Sequence, residues 1–348
     1  MAAPAPRPTP DQLMQRLEWT VLKRLDGLLQ GDYRSLWRGA GLDLAELREY
    51  QHGDDVRHID WNVTARLQTP HVRQYREDRE VAAWLLLDLS ASVDVVGTGS
   101  RSKLELAEEL VGAMARLMGR HGNPVGAIFY RPAAAAGRPG GAAAAARSTW
   151  VLPPRTGRML ALQLVARMRQ LAGAQDTAAA ASSSPAPGRS ASARRAPAGA
   201  VAQETRLADL LHAADGVIRR RSVVLLVSDF ISAPGWADAL GRLARRHDVL
   251  AVRLNDELDG ELPDLGLVTV QDAETGEQLL VDSGDPAFRQ RLAQLAAQHE
   301  AELLAGLARA GVDTLELSTR EHLLAALLRF VALRRQRMTV AAGPARAA

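Results

Sequence analysis

Two short apolar runs, Val81 to Leu87 (VAAWLLL) and Val223 to Val227 (VVLLV), each break off at an acidic residue. The first ends in Asp88-Leu89-Ser90-Ala91-Ser92 and the second in Ser228-Asp229. Runs of this length, apolar without alternation, read as interior strands of a parallel sheet covered on both faces. In an open sheet of that kind ligands bind in the crevice at the carboxyl ends of the strands, so the fold that buries the runs also carries their terminal acids to one edge. Asp88, Ser90 and Ser92 stand at alternate positions where the first strand gives out. Oxygen-only donors in such an arrangement suit Mg²⁺, with Mn²⁺ as a substitute, rather than zinc or copper.

Several function classes fall away on composition. There is no cysteine, which removes disulfides, thiolate zinc, iron-sulfur clusters and thiol nucleophiles and leaves oxygen and nitrogen chemistry. The balance of 43 basic and 40 acidic residues gives a net charge of only +3, too weak a field for a polyanion, so no nucleic-acid partner is expected. The amino terminus (MAAPAPRPTPDQLMQRL) has no basic head followed by an apolar stretch, and no window approaches the ~18 consecutive apolar residues of a membrane span. A soluble, cytoplasmic chain without a membrane span is expected.

Along the chain, a Pro-rich tail and a helical pattern from Asp11 to about Gly31 occupy residues 1–37. A charge-dense segment poor in helical period occupies residues 38–80, with strand-like alternation only at His71 to Tyr75. From Val81 strands and helices alternate. Helices are expected at Lys103–His121, Arg158–Leu171, Arg206–Arg220, Trp236–Arg246, Pro286–Ala310 and from Glu321 to about Met338. Strands are expected at Val125–Tyr130, Thr149–Leu152, Val249–Leu254 and Thr314–Leu317, with a hairpin in Leu267–Val281 turning near Thr275-Gly276. This is an α/β pattern: a doubly wound, mostly parallel, Rossmann-type sheet over residues 81–335, with the amino-terminal helical and polar segment as an accessory and residues 336–348 as a tail. The Ala/Gly stretch at 133–146 and the Ala/Ser/Pro/Arg stretch at 173–203 read as disordered insertions, because neither holds enough varied apolar surface to offset the entropy of ordering it.

Each motif has a plain structural reading beside the functional one. Ser90 and Ser92 could simply cap a following helix. The charges Glu46, Arg48, Glu49, Asp54, Asp55, Arg57, Asp60 and Arg66 fit a structural clamp of Arg–carboxylate forks, anchored by Tyr50, Ile59 and Trp61, better than a partner-facing surface. A His/carboxylate metal site at His52, Asp54, Asp55, His58 and Asp60 lacks regular His spacing. The Gly-Thr-Gly-Ser turn at 97–100 lacks the Lys and the length of a phosphate loop, so no nucleotide cofactor is expected.

The strand VAAWLLL, the Asp88/Ser90/Ser92 turn, the later Thr205 opening TRLADLLHAADGVIRRR, and the strand ending in Asp229 resemble the von Willebrand factor A fold with its metal-ion-dependent adhesion site. The preceding ELREYQHGDDVRHIDWNVTAR is similar to the signature of the bacterial family DUF 58, and the resemblance runs in order from about Gly39 to Leu333, taking in RRRSVVLLVSDF and the DAETGEQLLVD hairpin. It implies that Asp88, Ser90 and Ser92 are first-loop ligands, Thr205 the second-loop ligand and Asp229 the third-loop ligand, some through water. Thr156, in PPRTGR, competes with Thr205, which lacks the preceding Gly pair common in von Willebrand A domains. Ser228-Asp229-Phe230 departs from the commoner Thr-Asp-Gly, which makes indirect ligation by Asp229 an open alternative.

What the resemblance implies is a non-catalytic, metal-dependent protein-interaction module. In it the cation bridges to an acidic side chain of a partner, a MoxR-type AAA+ ATPase, in chaperone-like maturation or assembly of other proteins. A Mg²⁺-dependent hydrolase using the same pocket would need a general base, and no His lies in either strand-end loop. A metal-free scaffold is the third class.

Overall fold

The computed structural model describes residues 7–17, 46–51, 59, 61–74, 82–95, 101–132, 148–183, 204–256, 259–260, 262–273 and 277–341. In chain order the first elements are α1 (Pro10–Leu17), β1 (Glu46–Glu49), α2 (Trp61–Leu67), β2 (His71–Gln74), β3 (Ala83–Asp88) and α3 (Lys103–Arg120). Then come β4 (Val125–Tyr130), β5 (Thr149–Arg155), α4 (Leu160–Ser183), α5 (Leu207–Val217), β6 (Val223–Ser228), α6 (Trp236–Arg246) and β7 (Asp248–Asn255). The last are β8 (Leu267–Gln271), β9 (Gln278–Asp282), α7 (Pro286–Ala310), β10 (Asp313–Ser318) and α8 (Leu323–Ala341).

Six strands form the central sheet in the order β10-β7-β6-β3-β4-β5, all parallel except β5, which runs antiparallel along β4. Counted by their sequence within the sheet, the strands lie third-second-first-fourth-fifth-sixth, so the order reverses between β3 and β6, the two runs that end in acids. Pro153 and Pro154 are tolerated in β5 because it is an edge strand, where a missing N–H leaves no inner ladder bond unmade.

The period of two along each strand sorts the helices into two layers. Ala83, Leu85 and Leu87 of β3 face one core with α1, α3, α4 and α8, while Trp84 and Leu86 face the other with α5, α6 and α7. Helix ends follow local chemistry. Ser102 and Glu105 make a reciprocal capping box at the start of α3, and Asp285 caps α7, with Pro286 in its first turn and Gly311, at φ 67°, closing it.

The structure departs from the sequence reading in two places. First, the charge-dense segment holds more regular structure than its pattern shows: β1 pairs antiparallel with β2, and α2 lies between them. Trp61 is 70% exposed, so it anchors nothing, whereas Tyr50 and Ile59 are half-buried. Second, α4 continues through Gly173 to Ser183, into the stretch expected to be disordered, because a run of Ala carries the highest helix propensity of any residue. Helix α1 begins as expected and is described to Leu17. The rest of that helical pattern, the residues Asp54, Asp55, Arg57 and Asp60, the stretch at 133–146, residues 184–203 and the turn at Thr275-Gly276 lie outside the described residues.

Candidate metal centre

Asp88 is the last residue of β3 and is 2% exposed. Its Oδ1 accepts the backbone N–H of Ser90 at 3.0 Å and its Oδ2 accepts the hydroxyl of Ser228, the last residue of β6, at 2.7 Å. The second bond crosses the sheet at the point of reversal and ties the two strand ends together. The Ser90 and Ser92 hydroxyl oxygens lie 3.1 Å apart; Ser90 helps hold the Asp88 carboxyl down and Ser92 the Asp229 carboxyl, each against the larger effect of burial. Asp88, Ser90, Ser92 and Asp229 therefore gather around the ends of β3 and β6.

Ser90 occupies the position before the 3₁₀ turn Ala91–Asp94 and makes no side-chain capping bond there; Ser102 caps α3 instead. Ser90 is therefore not a side-chain cap.

Thr205 and Thr156 separate cleanly. Thr205 is fully buried just before α5, where its carbonyl accepts from Ser232 and Ala233 in the loop beyond Asp229, and the next residue, Arg206, donates its N–H to the Tyr130 hydroxyl at 3.0 Å. Tyr130 is the register partner of Asp88, so Thr205 stands at the same edge. Thr156 is exposed and follows Arg155, which pairs with Val125 at the start of β4, the opposite edge of the sheet.

Burial and like charge act on the two acids together. The Asp88 carboxyl is pushed up to about 7, first by burial and then by the neighbouring Asp229 charge. Burial also raises Asp229, opposed by the positive charge of Lys103. Lys103, in the first turn of α3, places its ammonium 3.4 Å from Asp229 Oδ2 and 2.8 Å from Asp259 Oδ1. The sequence reading passed over Lys103 and Asp259. Only the S-x-x-E box at Ser102–Glu105, which puts Lys103 in the first turn of a helix, pointed toward them.

The donor set fits a hard cation: carboxylates and hydroxyls only, with two buried acids whose proximity disfavours full ionisation without added positive charge. Among the described residues no three His, Asp or Glu side chains converge on a point. Any ion held here relies on the serine hydroxyls, water or an outside ligand to fill its coordination.

Residues 46–302 match the family described as "Protein of unknown function DUF58". The chain belongs to this family. It is 37% identical over 326 residues to uncharacterized proteins of Mycobacterium bovis and Mycobacterium tuberculosis, covering 93% of this chain and 89% of each relative. A shorter match, 36% identical over 100 residues, covers 28% of this chain and 94% of a Paracoccus denitrificans protein named for its place in the moxR 3′ region. Among solved structures, the conserved hypothetical protein BatB of Bacteroides thetaiotaomicron overlaps 74% of this chain and 99% of its own at 11% identity and a TM-score of 0.38. That overlap is too slight to transfer a property. Among the described residues no helix is long and apolar enough to cross a membrane.

Proposed function

We propose that this DUF58 protein is a non-catalytic, divalent-metal-dependent protein-interaction module. In this reading residues 81–335 are a von Willebrand factor A-like domain whose adhesion site comprises Asp88, Ser90, Ser92, Thr205 and Asp229. The observation that carries the reading is the Ser228–Asp88 bond, which joins the ends of β3 and β6 at the reversal of strand order and brings both acids to one oxygen-lined spot. Mg²⁺, or Mn²⁺ in its place, would supply there a hard electrophilic centre with a coordination position for a partner's carboxylate.

The chain's own residues divide the work. Asp88 supplies the principal charge and is aimed by Ser228 and the Ser90 amide. Ser90 and Ser92, whose hydroxyls lie 3.1 Å apart, offer neutral oxygens, and Ser92, 9% exposed, is the outermost of the five. Asp229 shares its charge with Lys103 and acts through water or through Ser92. Neither strand-end loop carries a histidine, which favours binding over catalysis. A MoxR-type AAA+ ATPase is the proposed partner, supported by the family resemblance and by the moxR-region name of one relative. Chaperone-like maturation or assembly is the proposed process.

Calorimetric Mg²⁺ titration and capture of a purified MoxR-type ATPase, each with wild type and Asp88→Asn, test the reading. Wild type is expected to bind Mg²⁺ and to capture the ATPase in Mg²⁺ but not in EDTA, and Asp88→Asn to lose both. Full Mg²⁺ affinity in Asp88→Asn would overturn the site. Mg²⁺-dependent turnover of a phosphoester or peptide that vanishes in both Asp88→Asn and Asp229→Asn would overturn the non-catalytic assignment.

A further inference from the structure

Lys103 is an unusual residue to find at this edge. Its side chain is 4% exposed and its ammonium lies between two carboxylates, Asp229 at 3.4 Å and Asp259 at 2.8 Å, whose side chains are 1% and 32% exposed. Both ends of the bridge are pinned. On the helix side, the Ser102–Glu105 capping box fixes the first turn of α3, while Arg101 reaches Glu109 and the backbone carbonyl of Thr319. On the loop side, Asp259 accepts the Asp256 N–H at 2.9 Å, and Asp256 accepts the Thr319 hydroxyl at 2.5 Å. The ammonium is thus held against Asp229 by a framework that spans α3 and the loops after β7 and β10.

An ammonium is a compact point charge. One placed on a carboxylate already satisfies part of what that carboxylate offers a metal ion, and it repels any second cation brought to the same group. Asp259 draws in the opposite direction, since every increment of negative charge on the far side of the ammonium leaves Asp229 less neutralised.

We infer that Lys103 is a built-in counter-cation that weakens the site's hold on a divalent ion, with Asp259 setting the strength by sharing the ammonium with Asp229. This rests on the metal-site reading above and deepens it. Among the described residues no cation pairs with Asp88 as Lys103 does with Asp229, so the isolated chain holds Mg²⁺ loosely, and a partner's carboxylate completes what Lys103 withholds. Ion and partner then bind cooperatively.

The test is Mg²⁺ titration calorimetry on the full chain, paired with thermal unfolding in EDTA and in Mg²⁺, for wild type, Lys103→Met, Asp259→Asn and Asp88→Asn. Removing a positive charge beside the ligand set is expected to tighten Mg²⁺ binding in Lys103→Met by at least about tenfold. Leaving the ammonium to Asp229 alone is expected to weaken binding in Asp259→Asn by about threefold or more. Lys103→Met also leaves Asp229 buried without its partner, so its unfolding midpoint falls in EDTA and rises on adding Mg²⁺ by more than that of wild type. If Lys103→Met does not fold, Asp259→Asn, altered at a partly exposed side chain, decides alone. Unchanged or weaker binding in Lys103→Met, or unchanged or tighter binding in Asp259→Asn, overturns the inference. Retained binding in Asp88→Asn overturns the metal site itself, which keeps the two failures apart.

Discussion

Phe230 follows Asp229 with φ 61°, a left-handed conformation that costs a residue with a side chain about 1–2 kcal/mol. The position is the one where Thr-Asp-Gly sequences place their glycine. The cost is offset by packing: Phe230 is 1% exposed and meets Trp236 edge to face at 5.2 Å. Phe230→Gly therefore relieves the backbone yet removes a buried ring worth about 3–5 kcal/mol, and a net loss of about 2–3 kcal/mol is expected in urea unfolding. Asp88 yields a pH prediction. Its folded value of about 7 lies above the reference 3.8, so between these values the folded chain keeps a proton that the unfolded chain has released. The group's contribution is fully present below about pH 4 and is lost as pH rises through about 7. In EDTA, Asp88→Asn should match wild type near pH 4.5 and exceed it at pH 8 by roughly 3 kcal/mol, while Mg²⁺ stabilises wild type alone. At this scale the strand ends carrying Asp88, Ser90, Ser92 and Asp229 were legible because they close apolar runs, whereas Thr205 was singled out only by the family resemblance. Lys103 escaped notice because its meaning comes from partners 126 and 156 residues away.

Helices on the two faces depend on different contacts. Between α3 and α4, Arg169 forks onto Glu108, with Nη2 at 2.6 Å and Nε at 2.9 and 3.0 Å from the carboxylate oxygens, and also holds the Pro8 carbonyl at 2.6 Å. Glu108 is 1% exposed and its carboxyl is raised by burial in spite of the guanidinium. Arg169→Ala leaves that carboxylate buried without its fork, and a loss of about 3–5 kcal/mol is expected by chemical denaturation. On the other face α7 approaches α6 at Gly306, where a Cβ would stand 2.8 Å from the Trp236 ring. Gly306→Ala should cost about 1–3 kcal/mol through overpacking, with Trp236 fluorescence reporting the shift. Elements with clear punctuation matched the sequence reading closely: α6 and α7 span Trp236–Arg246 and Pro286–Ala310 as expected, because Gly235, Pro286 and Gly311 mark their ends. By contrast, β1 and α2 lie in a charge-dense stretch where neither a period of two nor of 3.6 stands out, so their form depends on pairing that local pattern does not encode.

For the molecule as a whole, sheet order is what gives the site its place. The crevice opens where strand order reverses, the reversal falls between β3 and β6, and both of those strands end in residues that could ligate a hard cation. The alternation of strands and helices, and so the α/β class, was legible from the chain because each buried strand is a near-continuous apolar run. The order of the strands was not, since it depends on which crossovers pack which helix faces. Membership of the DUF58 family agrees with the resemblance carried by residues 46–302 and leaves the metal and the partner as proposals. Anomalous diffraction from a crystal of the full chain grown with Mn²⁺ decides whether the ends of β3 and β6 hold a cation. A single strong peak is expected within about 2.0–2.3 Å of an Asp88 oxygen and the Ser90 and Ser92 hydroxyls, lost in Asp88→Asn. A clean map with no peak at the ends of β3 and β6, or a peak that survives Asp88→Asn, would contradict it.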